Sequence, residues 1–331
     1  MTGAGSTGSE GARAKSRGAV CVESPARLHF GVLDLRGSLG RWFGGIGAAA
    51  PGPTVWVSAS PARTLDVSGD GSERAADFAR KFLAHYGLQA GAQLHVERML
   101  PEHAGLGSGT QLALAVARAL AEIHAITADA SELACVTGRG RRSAIGTWTF
   151  AGGGLVVEGG HRPDTAGVAP LLARVPFPPS WRCVLAVPNP ARGMTGDEEA
   201  AAFAGLPPPP ERDVERVAYL VLMGLLPALV DDDIVSFGSA LTTIQTITGR
   251  WFAPAQGGTF ASGLSEELVR RMAEWGAAGV GQSSWGPAVY GIVEGEEAGL
   301  RLAEHARGVL RDDGTVHVGP FRTEGARVWR E

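Results

Sequence analysis

The chain has little cysteine and no apolar run long enough for a membrane span. Its 331 residues include three isolated cysteines, Cys21, Cys135 and Cys183, none of which forms a C-x-x-C pair. This spacing argues against a zinc ribbon or a disulfide scaffold and favours a reducing, cytoplasmic compartment. The longest apolar run, residues 217–230, covers 14 residues, whereas a membrane helix needs roughly 20. We therefore expect a cytoplasmic protein with no membrane partner.

Lysine is almost absent, and basic residues do not outnumber acidic ones. Lys15 and Lys81 are the only lysines among 30 basic residues, and with 34 acidic residues the formal charge is −4. A mildly acidic chain of this kind disfavours nucleic acid as a partner. The forked guanidinium of arginine recognises carboxylate and phosphate. A genomic base bias would also enrich arginine, so only arginines inside a motif are taken as candidate anion ligands.

The composition is that of a globular chain with two domains. Hydrophobic residues make up 44% and charged residues 19% of the chain, which supplies enough apolar surface for a core. Residues 1–18 are rich in glycine, serine and alanine and are expected to form a disordered tail. Prolines punctuate residues 163–179, so we place a boundary near Ser180, between domains at 19–180 and 181–331.

Hydrophobic periodicity predicts helices and strands without strict alternation, which favours two α+β domains. Strands are predicted at residues 19–23, 54–59, 93–100, 155–158, 181–188, 288–293 and 315–318. Helices are predicted at residues 75–86, from Ser108 onward, 212–229, 233–246, 265–277 and 296–310. The glycine-rich stretch at 31–52 is expected to be a loop between the first two strands.

A glycine-rich segment directly precedes the helix predicted from Ser108. Residues 105–110 read Gly-Leu-Gly-Ser-Gly-Thr. Glycines let backbone N–H groups approach an anion, and a helix N-terminus adds unsatisfied donors and positive potential. The alternative is a tight turn capped by Ser108, but three glycines and two hydroxyls favour an anion site. The segment is neither a Walker loop nor a dinucleotide fingerprint, because the lysine and the required spacing are missing.

Together with Pro101, this segment resembles the phosphate-binding motif of the GHMP superfamily, which includes galactokinase, homoserine kinase, mevalonate kinase and phosphomevalonate kinase. Residues 24–47 and 279–286 resemble the other two signature regions of that superfamily. Within it, the segments SPARLHFG from Ser24 and GRGRRSAIG from Gly138 are most similar to the β-ribofuranosylaminobenzene 5'-phosphate synthases. The resemblance implies an α+β, two-domain GHMP-kinase-like fold, with an N-terminal domain of the ribosomal-protein type and a C-terminal ferredoxin-like α/β sandwich. It also implies a homodimer.

The resemblance further implies an enzyme, a decarboxylating pentosyltransferase. Such an enzyme transfers the 5-phosphoribosyl group of phosphoribosyl pyrophosphate to 4-aminobenzoate or 4-hydroxybenzoate, with loss of CO₂ and pyrophosphate, toward methanopterin-type one-carbon carriers. Mg²⁺ is the implied cofactor. The alternative is an ATP-dependent kinase, which is disfavoured because Thr147 stands four residues after Ser143, where the kinases carry a catalytic aspartate. A non-catalytic binding protein that retains the anion loop is a third hypothesis.

Roles for individual residues follow from the motifs and the resemblance. His29 is a candidate proton carrier, and Asp34 is a candidate Mg²⁺ contact or ribose hydrogen-bond partner. A structural histidine and a cap on the Gly37 turn are the respective alternatives. The predicted phosphate ligands are Gly105, Leu106, Gly107, Ser108, Gly109, Thr110, Ser283 and Ser284. The predicted substrate-binding residues are Ser24, Arg27, Arg41, Arg139, Arg141, Arg142 and Ser143. Three acids at 231–233 are interpreted as a helix N-terminus rather than a metal site.

Overall fold

The computed structural model describes residues 18–189, 202 and 205–331. The predicted tail at 1–18 lies outside these residues except for Gly18. Within the described part, a seven-stranded sheet is built on a long antiparallel hairpin of β1 and β2, in the order β11-β1-β2-β4-β3, while β5 pairs with β2 and β6 with β5. The strands of this sheet are β1 (Val20–Asp34), β2 (Phe43–Ala62), β3 (Asp66–Gly69), β4 (Gly91–Arg98), β5 (Leu155–Glu158), β6 (Leu171–Val175) and β11 (Arg327–Arg330).

Four helices accompany this sheet in the described chain. They are α1 (Ser72–His85), α2 (Ser108–Ile123), α3 (Ala130–Val136) and α4 (Ile145–Gly152). Helix α2 packs on β1 and β2 and contacts the three other helices. Half of its 16 residues are alanine or leucine, and nearly all of its middle turns are buried. The small side chains allow this close approach on several sides, so α2 is the central element that carries the glycine segment at its N-terminus.

The remaining elements form a four-stranded antiparallel sheet with helices. Its order is β10-β7-β9-β8, and α8 and α9 cover one face with a core of their own that includes Leu268, Met272 and Leu302. Helix α7 packs against both β8 and β1 and so joins the two sheets. These elements are β7 (Trp181–Pro188), α5 (Glu211–Leu220), a π-helical segment (Val221–Leu225), α6 (Leu226–Val230), α7 (Ile234–Gln256), α8 (Leu264–Glu274), β8 (Gly279–Gln282), β9 (Val289–Glu294), α9 (Glu296–Leu310) and β10 (Gly314–Gly319).

The predicted loop at residues 31–52 is wrong, because most of it lies in β1 and β2. The turn between the two strands is confined to about residues 35–42. The glycines in β2 serve packing. A Cβ on Gly47 would lie 2.3 Å from the Leu28 oxygen and 2.4 Å from Cγ2 of Ile145. Glycine at this position therefore lets α4 lie directly on the strand.

The second sheet begins at Trp181, beside the boundary predicted near Ser180, but the end of the chain returns to the first sheet. Strand β11 pairs with β1, with Trp329 opposite Cys21. The sequence division at 181–331 therefore does not coincide with one sheet. Pairing with β11 covers an edge of β1 that would otherwise present unpaired backbone groups.

Candidate active site

The glycine segment forms the turn between β4 and α2. Gly105 and Gly107 have φ angles of 76° and 77°, in the left-handed region that glycine adopts without strain. Gly107 is the N-cap residue of α2 and no side chain caps the helix, so the alternative of a turn capped by Ser108 is wrong. The first N–H groups of α2 therefore remain available to a ligand.

The three signature regions meet at this turn. The N–H of Arg27 in β1 donates to the Leu106 oxygen at 3.1 Å, and its guanidinium donates to the Gly105 oxygen. The Ser283 hydroxyl donates to the same Gly105 oxygen at 2.6 Å and accepts from the His29 N–H at 3.0 Å. A Cβ on Gly105 would lie 2.0 Å from the Ser283 oxygen. The two glycine loops are thus in direct backbone contact.

An open cavity of about 450 Å³ lies in front of the α2 N-terminus; we call it the phosphate pocket. It is lined by residues 105–110, Arg27, Arg74, Glu102, His103, Arg139, Ser284, Trp285 and Gly286. Nη2 atoms of Arg74 and Arg139 would lie 2.7 and 2.9 Å from a Cβ on Gly109. Burial, reinforced by Arg74 and Arg142, lowers the pKa of Arg139. Concentrated positive charge of this kind at a helix N-terminus suits a polyphosphate.

A smaller cavity of about 90 Å³ adjoins it, sharing Arg27, Ser284 and Trp285; we call it the aromatic pocket. Its other lining residues are His29, Val32, Phe43, Gly44, Arg142, Ser143 and Phe252. The rings of Phe252 and Trp285 contact each other with centroids 4.9 Å apart. Burial, followed by the nearby Arg27, lowers the pKa of His29 to about 3. The pocket therefore combines aromatic walls, an arginine and a neutral imidazole.

A third cavity, the outer pocket, has a volume of about 620 Å³. It shares Arg139 with the phosphate pocket and Phe43 with the aromatic pocket. Its other lining residues are Trp42, Cys135, Gly138, Arg141, His161, Arg162, Pro163, Thr165, Ala166 and Gly167. The predicted cluster of three arginines is thus divided, because Arg139 lines the phosphate and outer pockets, Arg141 the outer pocket, and Arg142 the aromatic pocket.

Three predicted site residues instead have contacts within the fold. Ser24 is fully buried, and its hydroxyl donates to Gln111. Arg41 donates to the Gly159 oxygen at 2.8 Å. Asp34 Oδ1 accepts from the N–H groups of Arg36 and Gly37, at 2.6 and 3.0 Å, as the turn-cap alternative proposes. None of these three side chains lines the phosphate or the aromatic pocket, and neither does the predicted phosphate ligand Ser283, which is fully buried.

No metal cluster is formed by the part of the chain that the structure describes. No group of three or more histidine, cysteine, aspartate or glutamate side chains there is placed to hold an ion. Asp233 caps α7, accepting from Val235 and Ser236 at 3.1 and 3.0 Å. The interpretation of residues 231–233 as a helix N-terminus therefore holds for Asp233, whereas Asp231 ends the preceding helix α6.

Comparisons with known proteins identify the family. Residues 73–151 match the model for the N-terminal domain of GHMP kinases. The β-ribofuranosylphenol 5'-phosphate synthase of Methanothermobacter thermautotrophicus is 35% identical over 294 residues, covering 82% of this chain and 88% of the relative. The protein of the same name from Archaeoglobus fulgidus is also 35% identical, over 84% and 89% of the two chains. This chain belongs to the β-ribofuranosylphenol 5'-phosphate synthase family.

The predictions of an enzyme and of a GHMP-type α+β fold are confirmed. A homoserine kinase structure from Cytophaga hutchinsonii aligns with a TM-score of 0.69 at 16% identity, over 95% of this chain and 98% of its own. At that identity the likeness shows the fold alone. Among the described helices, none has the length and apolar character required to cross a membrane.

Two further buried polar residues are Thr147, which the sequence singled out, and Glu158, which lies in no motif. Thr147 is fully buried, and within the described structure its hydroxyl has no hydrogen-bond partner. Glu158 ends β5 and is also fully buried, which raises the pKa of its carboxyl although the N–H groups of Gly160 and Ala144 stabilise the charged form. A Cβ on Gly45 would lie 3.1 Å from Glu158 Oε1 and 3.4 Å from His29 Nε2. Gly45 therefore lies against both the Glu158 carboxyl and the imidazole of His29, which lines the aromatic pocket.

Proposed function

We propose that this enzyme joins the 5-phosphoribosyl group of phosphoribosyl pyrophosphate to the carboxylate-bearing ring carbon of a 4-substituted benzoate. One observation carries the proposal. The phosphate pocket, rich in arginine, adjoins a pocket with aromatic walls, and the two share Arg27, Ser284 and Trp285. A phosphorylated donor and an aromatic acid can therefore bind side by side.

The phosphate pocket suits the pyrophosphate of the donor. As the bond between C1 of the ribose and the pyrophosphate oxygen breaks, the electron pair and negative charge leave with the pyrophosphate. The N–H groups at the start of α2 and the guanidinium groups of Arg74 and Arg139 are in place to stabilise that charge. No covalent enzyme intermediate is required, and attack from the opposite face inverts the configuration at C1.

The same pocket also suits a magnesium ion that enters with the donor. Mg²⁺ in proteins is held by one or two carboxylates together with substrate phosphates and water. Glu102 is the carboxylate lining the phosphate pocket, where it pairs with Arg74. When bound, the ion would supply further neutralisation of the pyrophosphate charge. Asp34 caps its own turn, which makes Glu102 the better candidate for the metal.

The aromatic pocket suits the acceptor. Arg142 offers a fork to the benzoate carboxylate, and Phe252 and Trp285 offer ring faces. The name of the relatives specifies a phenol, which supports 4-hydroxybenzoate over 4-aminobenzoate. His29 is neutral at physiological pH and can accept a hydrogen bond from the hydroxyl, which raises the electron density of the para carbon. That carbon attacks C1, and cleavage of its bond to CO₂ returns the electron pair to the ring.

We further propose that the enzyme acts in the cytoplasm as a homodimer on these small molecules, without nucleic acid or membrane. The three isolated cysteines support a reducing, cytoplasmic compartment, and the charge of −4 disfavours nucleic acid as a partner. The dimer rests on the resemblance to the family. Sedimentation velocity tests the dimer, and a monomer at micromolar concentration would contradict it.

The test of the reaction is the release of pyrophosphate and CO₂ by the purified full chain. The enzyme receives Mg²⁺, phosphoribosyl pyrophosphate and either carboxyl-labelled 4-hydroxybenzoate or 4-aminobenzoate. We expect both products in equal amounts, with faster release from 4-hydroxybenzoate. A parallel reaction with ATP and an alcohol controls for kinase activity. ADP in that reaction, without CO₂ in the first, would overturn the proposal.

A further inference from the structure

We infer that the outer pocket binds the 5-phosphate of the phosphoribosyl donor, with Arg141 and Arg162 as its principal ligands. The inference rests on the proposed function and concerns a region that the pyrophosphate and the aromatic acid leave unused. It assigns a separate subsite, for a phosphomonoester, to a cavity between residues 138–142 and residues 161–167.

The first step is the number of anionic groups that must be bound. The donor carries a pyrophosphate on C1 and a phosphate on C5, at opposite ends of the ribose, and the acceptor adds a carboxylate. Three cavities share lining residues with one another and each is lined by at least one arginine, while a neighbouring cavity beside Arg41 shares Arg162 with the outer pocket and continues it. The phosphate pocket takes the pyrophosphate and the aromatic pocket the carboxylate. The outer pocket remains for the third anion.

The second step is position. The outer pocket shares Arg139 with the phosphate pocket and Phe43 with the aromatic pocket. A ribose held between these shared residues can place C1 toward the glycine segment and toward the acceptor, while C5 points outward. The pocket is open to solvent at Arg141 and Arg162, both of which are exposed. This arrangement leaves room for a doubly charged phosphate at the surface end of the sugar.

The third step is charge. Arg139, Arg141, Arg162 and His161 line the outer pocket, and no carboxylate is among the lining residues that the structure describes. The phosphate pocket differs in this respect, since Glu102 there pairs with Arg74. A site with arginines and without an acid favours a dianion over a metal-bound or neutral group.

The fourth step is that the walls of the pocket are fixed. The backbones of Trp42 and His161 exchange two hydrogen bonds, at 2.8 and 2.9 Å. The Arg41 guanidinium donates to the oxygens of Gly159 and Gly160, at 2.8 and 3.3 Å, and the Trp148 indole donates to the Ala169 oxygen at 2.9 Å. These bonds hold residues 159–169 against the β1–β2 turn and α4. Arg41 thus helps to fix the wall of the outer pocket.

The test measures binding of the 5-phosphate end and of the pyrophosphate end of the donor separately. Arg141→Gln, Arg162→Gln and the double variant are compared with the wild type and with Arg270→Gln, an exposed arginine on α8 that pairs with Glu274 and lines none of the three pockets. Calorimetry measures the Kd of ribose 5-phosphate and of pyrophosphate, and steady-state kinetics measures kcat/KM for the donor and KM for 4-hydroxybenzoate. Thermal unfolding confirms that each variant is folded.

We expect the double variant to weaken ribose 5-phosphate binding tenfold or more and to lower kcat/KM for the donor by a similar factor. The Kd of pyrophosphate and the KM of the aromatic acid should stay within twofold of the wild type, as should every value for Arg270→Gln. Unchanged ribose 5-phosphate binding would overturn the inference, and so would an equal loss of pyrophosphate binding. If the wild type fails to turn over the two substrates but the double variant still loses ribose 5-phosphate binding, the proposed reaction falls and the phosphomonoester subsite stands.

Discussion

The substitution Gly109→Ala separates the ligand-binding role of the glycine segment from its structural role. Gly109 is the second residue of α2 and has an ordinary helical conformation. A Cβ there would lie 2.7 Å from Arg74 Nη2 and 2.9 Å from Arg139 Nη2, the ends of two flexible side chains. These guanidinium groups can move away without backbone strain, so the fold tolerates the methyl group while the phosphate pocket loses its arrangement of charges.

We expect Gly109→Ala to preserve or slightly raise stability while it weakens pyrophosphate binding. Alanine is favoured over glycine within a helix by up to about 1 kcal/mol, so the free energy of unfolding should be unchanged or slightly higher. Displacing one charge-assisted hydrogen bond to the pyrophosphate should cost roughly 1.5 to 3 kcal/mol, which corresponds to an increase of about 10- to 150-fold in the Kd of pyrophosphate and the KM of the donor.

Gly105→Ala is the matched contrast. At Gly105 the φ angle is 76° and a Cβ would lie 2.0 Å from a backbone oxygen, that of Ser283. The left-handed conformation alone costs an alanine roughly 1 to 2 kcal/mol, and the backbone clash adds to it, so urea unfolding should show a clear loss of stability. Isothermal titration of pyrophosphate into Gly109→Ala is the decisive assay. Wild-type affinity in a stable Gly109→Ala protein would refute the assignment of this segment to the donor.

Three further substitutions test single side chains. Arg142→Ala should weaken binding of 4-hydroxybenzoate by roughly 1.5 to 3 kcal/mol; unchanged affinity by titration calorimetry would remove Arg142 from the acceptor site. Thr147→Val should leave turnover unchanged and raise the urea-derived free energy of unfolding by up to about 1 kcal/mol, because it removes a buried hydroxyl without a partner; slower turnover would show that the hydroxyl takes part in the reaction. The pKa of His29, lowered to about 3, means that its contribution to stability is complete above pH 6.5 and is lost as the pH falls toward 3. Relative to His29→Gln, the wild type should lose about 2 kcal/mol of stability between pH 7.5 and 5, and equal pH slopes would contradict this assignment.

Local patterns predicted several elements at their observed bounds. The strands at 155–158 and 181–188 and the helix at 296–310 coincide with β5, β7 and α9, because alternation and helical periodicity are properties of neighbouring residues. The strand character of residues 43–52 was missed. Glycine is required at position 47 because a side chain there would clash with Leu28 and Ile145. Ile145 lies about a hundred residues away in the chain, so no local sequence pattern can reveal this contact.

The candidate site also combines residues that the sequence motifs predicted with residues that only the tertiary fold brings together. Arg27, Gly105 and Ser283 were predicted from three separate motifs, and the structure brings them into contact. Arg74 and Arg162 lie in no motif, and only the packing of α1 and of residues 159–162 brings them to the pockets. Ser24 and Arg41 belong to a predicted signature segment, yet their side chains support the fold. A motif marks a segment, and the tertiary contacts decide which of its side chains face the ligand.

The uncharged side chain of Thr147 and the N–H groups at the start of α2 explain how a kinase-like fold can serve a different reaction. A kinase must orient and deprotonate an alcohol, so a carboxylate is needed beside the substrate hydroxyl. In this chain the residue four positions after Ser143 is Thr147, a buried threonine whose uncharged hydroxyl has no hydrogen-bond partner in the described structure. The glycine segment and its arginines are retained, because a departing pyrophosphate needs the same stabilisation as a transferred phosphoryl group. In the proposed reaction the nucleophile is a ring carbon activated by its own para substituent, so the fold can keep its anion site and dispense with the base.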